Sequence, residues 1–219
     1  SLNGKKAEYW IYKLADNRNN CIKIDADLFR KLDVKRGLRN EDGTGVLVGL
    51  TNIGNVVGYE RTENGLKPIE GKLYFRGYEI SDLVHAVLNE QRFGFEEIAY
   101  LLLSGGLPDA EELEQFRHLL VGNMPLMSKT MLNIVELEGT DIMNILARSV
   151  LELYTYDNTP DDISRENLMR QSVELISKFP TIIAYAYNML RHKTFGRSLH
   201  IRHPKENFSL AENFLYMLL

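Results

Sequence analysis

Apolar residues recur at helical spacing along most of this chain, and the exceptions are confined to its first third. Trp10, Ile11 and Leu14 share one face of a helix within residues 5–17, and Asp25 can cap a short helix over Asp25–Leu32. Between residues 36 and 66 the pattern changes. Glycines cluster there, and short β-branched runs stand at Val46–Val48 and Val56-Val57. Asn64-Gly65 supplies two residues that tolerate positive φ, as a tight hairpin requires. A short β segment at Leu73–Phe75 follows, so this region reads as a small β excursion and not as a sheet that defines the fold.

The turn Arg76-Gly77-Tyr78 leads into helices. Ser81 can cap the first, with Asp82 at the positive end of its dipole, and Glu96 and Glu97 do the same for the second. Gly105-Gly106 ends that second helix with residues that accept a left-handed C-cap. Asp109 and Glu112 have capping-box spacing, and Leu113, Phe116 and Leu120 then line one face. A further helix spans Ser128–Leu137. Asp141–Tyr154 leaves almost no polar face, which predicts a helix covered on most sides. The next helix runs from about Ile163 to His192, with Pro180 inside it deleting one backbone hydrogen bond and predicting a kink. Together these two helices offer more apolar surface than one protomer's core needs, and a subunit interface is the natural sink for the surplus. Ser209 and Glu212 begin a last helix with another capping box. The expected fold class is therefore all-α: a helical segment over residues 1–35, a loop and small β excursion over 36–79, and a helical domain over 80–219.

Composition narrows the functional classes. The chain has 219 residues, 44% of them hydrophobic, and can bury a sizeable core. A net charge of −4, with the signs mixed along the chain, gives no general cationic field for nucleic acid. The single cysteine, Cys21, excludes an internal disulfide framework and suits a reducing cytoplasm. The longest apolar runs, Ile98–Leu103 and Phe214–Leu219, are far short of a membrane span, and SLNGKKAEYW lacks the apolar core of a signal peptide. AENFLYMLL stops inside an apolar periodic pattern without a capping residue, which reads as a truncated chain.

Candidate chemistry is sparse. Gly43-Thr44-Gly45 with Gly49 has the wrong spacing for a dinucleotide fingerprint and reads as a loop. His200 and His203 lie three apart beside Pro204, with no Cys or acidic ligand close in sequence, so no metal is assigned. His85, His118 and His192 fall in helices without a recognisable carboxylate orienter. Asp157, Asp161 and Asp162 are explained by capping of the long helix, and no G-x-S-x-G nucleophile elbow occurs. Arg36-Gly37-Leu38-Arg39 has two arginines around a flexible glycine and could grip phosphate oxygens, or stand as a solvated basic turn.

Several ordered motifs carry a resemblance. The run YFRGYEISDL from Tyr74, then FEEIAYLLLSGGLP from Phe95, resembles the N-terminal part of citrate synthases. DIMNILARSVLELYTYD from Asp141 and ENLMRQSVELISKFPTIIAYAYNMLRH from Glu166 look like the successive helices that build that family's dimer interface. HPKENFSLAENFLYML from His203 looks like the segment leading toward the family's first active-site histidine. The likeness covers about residues 30–219, and DVKRGLRNEDGTGVLVGLTNIGNVVGYER from Asp33 resembles a subgroup of Firmicutes-type bacteria.

The resemblance implies an acyltransferase of the tricarboxylic acid cycle, a cytoplasmic homodimer that condenses acetyl-coenzyme A with oxaloacetate to give citrate. It implies no metal or redox cofactor, acetyl-coenzyme A being a substrate. It further implies that a carboxylate and two histidines do the chemistry, the histidines from motifs of the type H-A-x-H and G-P-x-H-G-G. Neither motif occurs in residues 1–219, so no catalytic residue is assigned and the chain alone is expected to be inactive. Arg36, with Arg39 behind it, matches a loop arginine that contacts a coenzyme A phosphate in some members. The alternatives are a 2-methylcitrate synthase using propionyl-coenzyme A, and a non-catalytic dimerisation module of the same fold.

Overall fold

The computed structural model describes residues 8–9, 12–13, 25–35, 37–40, 43–63, 65–136 and 139–219. Expectations for Trp10, Ile11, Leu14, Cys21, Arg36, Asn64 and Leu137 lie outside these residues. The chain forms two compact units, Ser1–Leu50 and Thr51–Leu219.

In the first unit, α1 (Ala26–Lys31) starts on Asp25, whose side chain accepts the Asp27 N–H at 3.0 Å. Beyond it, an isolated antiparallel bridge joins Arg39 to Gly45 around a tight turn. The expected β run Val46–Val48 is not a strand. β-branched residues favour an extended chain only when a neighbouring strand pairs with it, and Leu47 and Val48 instead stand exposed.

The second unit opens with a three-stranded antiparallel sheet in the order β1-β2-β3, from β1 (Gly54–Thr62), β2 (Gly65–Phe75) and β3 (Tyr78–Glu79). The pairing runs from Gly54 opposite Phe75 to Thr62 opposite Gly65, with a register shift between Val57 and Tyr59. Strand β2 is therefore much longer than the predicted Leu73–Phe75. Its first half, Gly-Leu-Lys-Pro-Ile-Glu-Gly, lacks the alternation that marks a half-buried strand, and it is exposed on both faces.

Arg76 and Gly77 make the two-residue turn into β3, with φ of +50° and +91°. A non-glycine residue in this left-handed region costs roughly 1–2 kcal/mol. Here the Arg76 side chain offsets that cost. Its Nε and Nη2 donate to the Leu102 carbonyl at 3.2 and 2.8 Å, and Nη1 donates to Asn52 at 3.2 Å. The sheet is thereby pinned to the C-terminal end of a helix, where the last carbonyls lack intrahelical donors.

That helix is α3 (Phe95–Ser104), closed by Gly105 at φ +95°. Before it, α2 (Ile80–Asn89) begins two residues earlier than the Ser81 cap predicts. Glu79 occupies the cap position, and the Ser81 hydroxyl donates to its carboxylate at 3.0 Å. The predicted capping box of Asp109 and Glu112 starts α4 (Ala110–Gly122), and α5 (Ser128–Glu136) follows.

Helices α6 (Ile142–Tyr156) and α7 (Arg165–Phe195) are the two apolar helices of the sequence, and α8 (Leu210–Leu218) is the last. The core forms around the 31-residue α7. Its Val173, Ile182, Ala184, Tyr185 and Ala186 join Phe116 and Leu120 of α4, Ile134 of α5, Ile145 and Leu146 of α6, and Leu210 and Met217 of α8. Helical structure is unbroken through Pro180. Immediately after it the fully buried Thr181 donates its hydroxyl to the Met124 carbonyl at 3.0 Å. Helix α6 is covered on one side only: Ile145, Leu146 and Ser149 are buried, whereas Met143 and Leu151 are 73% and 72% exposed. The prediction of cover on most sides thus fails within one protomer.

The acidic loop between α6 and α7 is a lock and not simply a set of dipole partners. Ser164 caps α7, and Asp162 accepts from both its backbone N–H and its hydroxyl. Asp161 accepts from Tyr154, which reaches across from α6. Asp157 accepts from Arg170 at 2.7 and 2.8 Å and from Gln171 at 3.0 Å. Buried Asn167 donates to the carbonyls of Thr159 and Asp162. The Arg170 guanidinium, with Gln171 and the Thr159 N–H behind it, lowers the Asp157 pKa to about 2.

A carboxylate whose folded-state pKa is depressed contributes stability above its unfolded pKa of about 3.9, and that contribution is lost as pH falls through the folded value. Urea midpoints of the wild-type chain should therefore drop between about pH 4 and pH 2 by more than those of Asp157→Asn over the same window. Parallel pH dependences for the two proteins would show that the Asp157–Arg170 pair is not coupled to folding.

Candidate functional site

Polar side chains from several helices converge on residues 196–219. Helix α7 ends on Gly196 at φ +60°, and His192 closes the corner through a 2.6 Å contact between Nδ1 and the Arg197 carbonyl. From there to Ser209 the chain has no regular structure, so its backbone groups need side-chain partners. Tyr185 donates to the Arg202 carbonyl at 3.1 Å, and Asn188 donates to the Met217 carbonyl at 2.9 Å. Fully buried Asn213 accepts from the Lys205 N–H at 2.7 Å and donates back to the Lys205 carbonyl at 2.9 Å. The Tyr216 ring takes two cations, Lys205 at 4.2 Å and Arg202 at 5.3 Å from its centroid. It also meets Phe208 edge-on at 5.7 Å. Each such cation contact is worth about 0.5–1 kcal/mol at an exposed site.

The start of α8 is held twice. Ser209 and Glu212 form the predicted capping box, each accepting the other's backbone N–H. The next N–H, that of Leu210, donates at 2.8 Å to Glu96, whose side chain arrives from the first turn of α3 and is 3% exposed. Glu96 therefore caps a helix 114 residues away, besides sitting in the first turn of its own. Nothing local in the sequence marks that role, because a first-turn glutamate is fully accounted for by its own helix dipole. Arg117 of α4 closes the group, donating to Glu114 and, at 3.4 Å, to the Phe208 carbonyl.

The residues singled out in the sequence are dispersed. Arg36 lies outside the described residues. Arg39 is exposed and donates Nη1 to the Gly43 carbonyl at 2.9 Å, within its own turn. Asn40 braces the same turn through Thr44 and Gly45. Gly43-Thr44-Gly45 is the loop that the spacing indicated. His200 and His203 lie in the irregular segment between α7 and α8. His118 does have a carboxylate beside it, Glu114 at 2.9 Å, and the i, i+4 spacing was a readable signal for the pair. Among the described residues no group of three or more His, Cys, Asp or Glu side chains is placed to hold a metal ion.

An all-α scaffold with a small antiparallel sheet pinned to one helix end, built around a long proline-containing helix, is thus the class of protein in hand. Residues 41–219 match the family described as citrate synthase, C-terminal domain. The peroxisomal citrate synthase of Dictyostelium discoideum is 31% identical over 227 residues, covering 94% of this chain and 42% of that protein. Citrate synthase 2 of Bacillus subtilis (strain 168) is 30% identical over 152 residues, covering 68% of this chain and 38% of that protein. The crystal structure of citrate synthase from Pyrobaculum aerophilum superposes with a TM-score of 0.64 at 27% identity, covering 83% of this chain and 44% of that one. The chain belongs to the citrate synthase family. It spans about two fifths of the length of these curated relatives.

Replacing Glu96 by Ala leaves the buried Leu210 N–H without an acceptor and should cost about 1–3 kcal/mol of stability in urea titrations. Glu96→Gln, which keeps a carbonyl acceptor, should lose less. Equal stability of wild type and Glu96→Ala would remove the cap from the account.

Proposed function

We propose that this chain is the large-domain portion of a citrate synthase, which condenses acetyl-coenzyme A with oxaloacetate to give citrate. The observation that carries this reading is the family match across residues 41–219 together with the shared all-α architecture. The contribution of these residues is scaffold. Their polar side chains are spent on helix ends and on the path from α7 into α8, and the histidine motifs expected of the reaction are absent from residues 1–219. The chain by itself is therefore inactive. In the complete enzyme, general acid–base chemistry needs positioned groups in a closed, dry cleft, and α8 supplies a fixed base for the chain that reaches it.

Arg36 and Arg39 are the residues proposed for a coenzyme A phosphate, Arg39 keeping further guanidinium N–H groups beyond the one used in its turn. Neither a metal nor a redox cofactor enters the reaction as proposed. The protein acts in the cytoplasm, a reading supported by the cysteine usage.

The second copy of the chain is the proposed partner for the uncovered side of α6 and α7. Met143, Leu151 and Tyr154 of α6 and Leu168, Leu175 and Tyr187 of α7 are exposed in the single protomer. A patch of this kind on two long helices suits a self-complementary two-fold interface.

Purified residues 1–219, folded by circular dichroism and free of host enzyme, should release no coenzyme A from acetyl-coenzyme A and oxaloacetate. Measurable citrate formation would place the reacting groups inside these residues and overturn the scaffold reading. Sedimentation at micromolar concentration should show self-association that Leu151→Lys weakens at least about tenfold, since a charge buried without a partner is strongly disfavoured. A strictly monomeric wild-type profile would count against the interface.

A further inference from the structure

The uncovered side of α6 carries one apolar stripe. At about 100° per residue, Met143, Ala147, Leu151 and Tyr154 fall within an arc of about 80°, and none of them is charged. They lie on the other side of the helix from Ile145, Leu146 and Ser149, which are buried. A chain of net charge −4 repels its own copy in general, so a neutral stripe is where a second copy meets least repulsion. The stripe is also self-complementary. A two-fold axis at its middle sets Ala147 against the partner's Leu151, and Met143 against the partner's Tyr154.

Tyr154 differs from the rest of the stripe in being held. Its hydroxyl donates to both carboxylate oxygens of Asp161, at 2.9 Å each. Asp161 is itself fixed from both sides. The Pro160 carbonyl accepts from Gln171 at 3.1 Å and the Asp162 carbonyl accepts from Asn167 at 2.7 Å, and both donors belong to α7. Hydrogen bonding to the Asp161 carboxylate raises the Tyr154 pKa, so the hydroxyl keeps the proton that it donates. The polar end of the side chain is thus satisfied inside the protomer, while the residue stays 54% exposed. Closing the loop does not require this bond. Asp157, Asn167 and the Ser164 cap already tie it to α7.

We infer that Tyr154 is the pre-organised anchor of self-association, its ring fixed by Asp161 in the position from which it meets a second copy. The anchor role rests on the two-fold interface proposed above and names the residue on which its strength depends. Immobilising a free side chain on association ordinarily weakens binding by roughly two- to tenfold, and a ring that is already held avoids this. Aromatic residues dominate interface hot spots because they bury a large rigid surface with few rotatable bonds. In a two-fold dimer the advantage counts twice, because each interface contains the residue twice.

Sedimentation equilibrium of the 219-residue chain, of Tyr154→Phe, of Asp161→Ala and of the double variant tests the anchor. Tyr154→Phe keeps the ring and removes only the hydroxyl. Asp161→Ala removes the acceptor together with a negative charge that opposes self-association. Each should weaken the dimer at least about fivefold, and the double variant should be no weaker than the weaker single one, since both break the same bond. Urea midpoints, measured where every variant is monomeric, should match the wild type because both side chains are exposed. Unchanged or tighter association of Tyr154→Phe, with Leu151→Lys still disruptive, would overturn the anchor and leave the interface standing. Additive losses, or losses accompanied by lower urea midpoints, would assign the bond to the loop alone and overturn it too. A monomeric wild type would remove interface and anchor together.

Discussion

Burial of α7 is the constraint on which the rest of this structure depends. At about 1.5 Å per residue a 31-residue helix is roughly 46 Å long, more than a small domain can enclose by chance packing. It is enclosed because α4, α5, α6 and α8 each lay an apolar stripe against part of it. The polar atoms along that buried face are satisfied nearby: Ser177 donates to the Val173 carbonyl, and Thr181 to the Met124 carbonyl. Pro180 has no N–H to give, so it removes one backbone hydrogen bond in the middle of the helix. The packing around Thr181 and Ile182, both fully buried, holds the chain helical across that gap.

A second theme is the use of charged side chains on distant backbone groups. Arg76 ties the sheet to the end of α3, and Glu96 ties the start of α3 to the start of α8. Both ends of one ten-residue helix are thus fixed to other elements by a single charged residue each. Hydrogen bonds that include an ionised partner are roughly twice as strong as neutral ones, and burial removes competing water. These contacts fix elements that are distant in sequence relative to one another.

Much of this was legible in the sequence, and the reason is local. The capping boxes at Asp109 and Ser209 and the αL glycine at 105 are short-range signals, as is the helical period through α4, α6 and α7, and they survived into the fold. So did the turn at Arg76-Gly77. The failures are long-range. Val46–Val48 has the composition of a strand but no partner, and the first half of β2 has a partner but no alternation. Glu96 already had a sufficient local explanation, which hid its role at α8. The acidic loop at 157–162 looked like a set of caps because Arg170, which organises it, lies in the second turn of the next helix. As for the candidate site, Arg39 is held in its own turn, while the support of residues 196–219 needed the fold to bring Tyr185, Asn188 and Glu96 to that segment.

If α7 is the keystone, its central amides open only when the whole second unit opens. Native-state hydrogen exchange of the amides from Ile182 to Met189 measures this directly. They should form the slowest-exchanging group in the chain, slower than those of α2 and α5, with a protection free energy equal to that of global unfolding. Exchange at Ile182–Met189 as fast as in α2 or α5 would contradict the account and move the structural centre elsewhere.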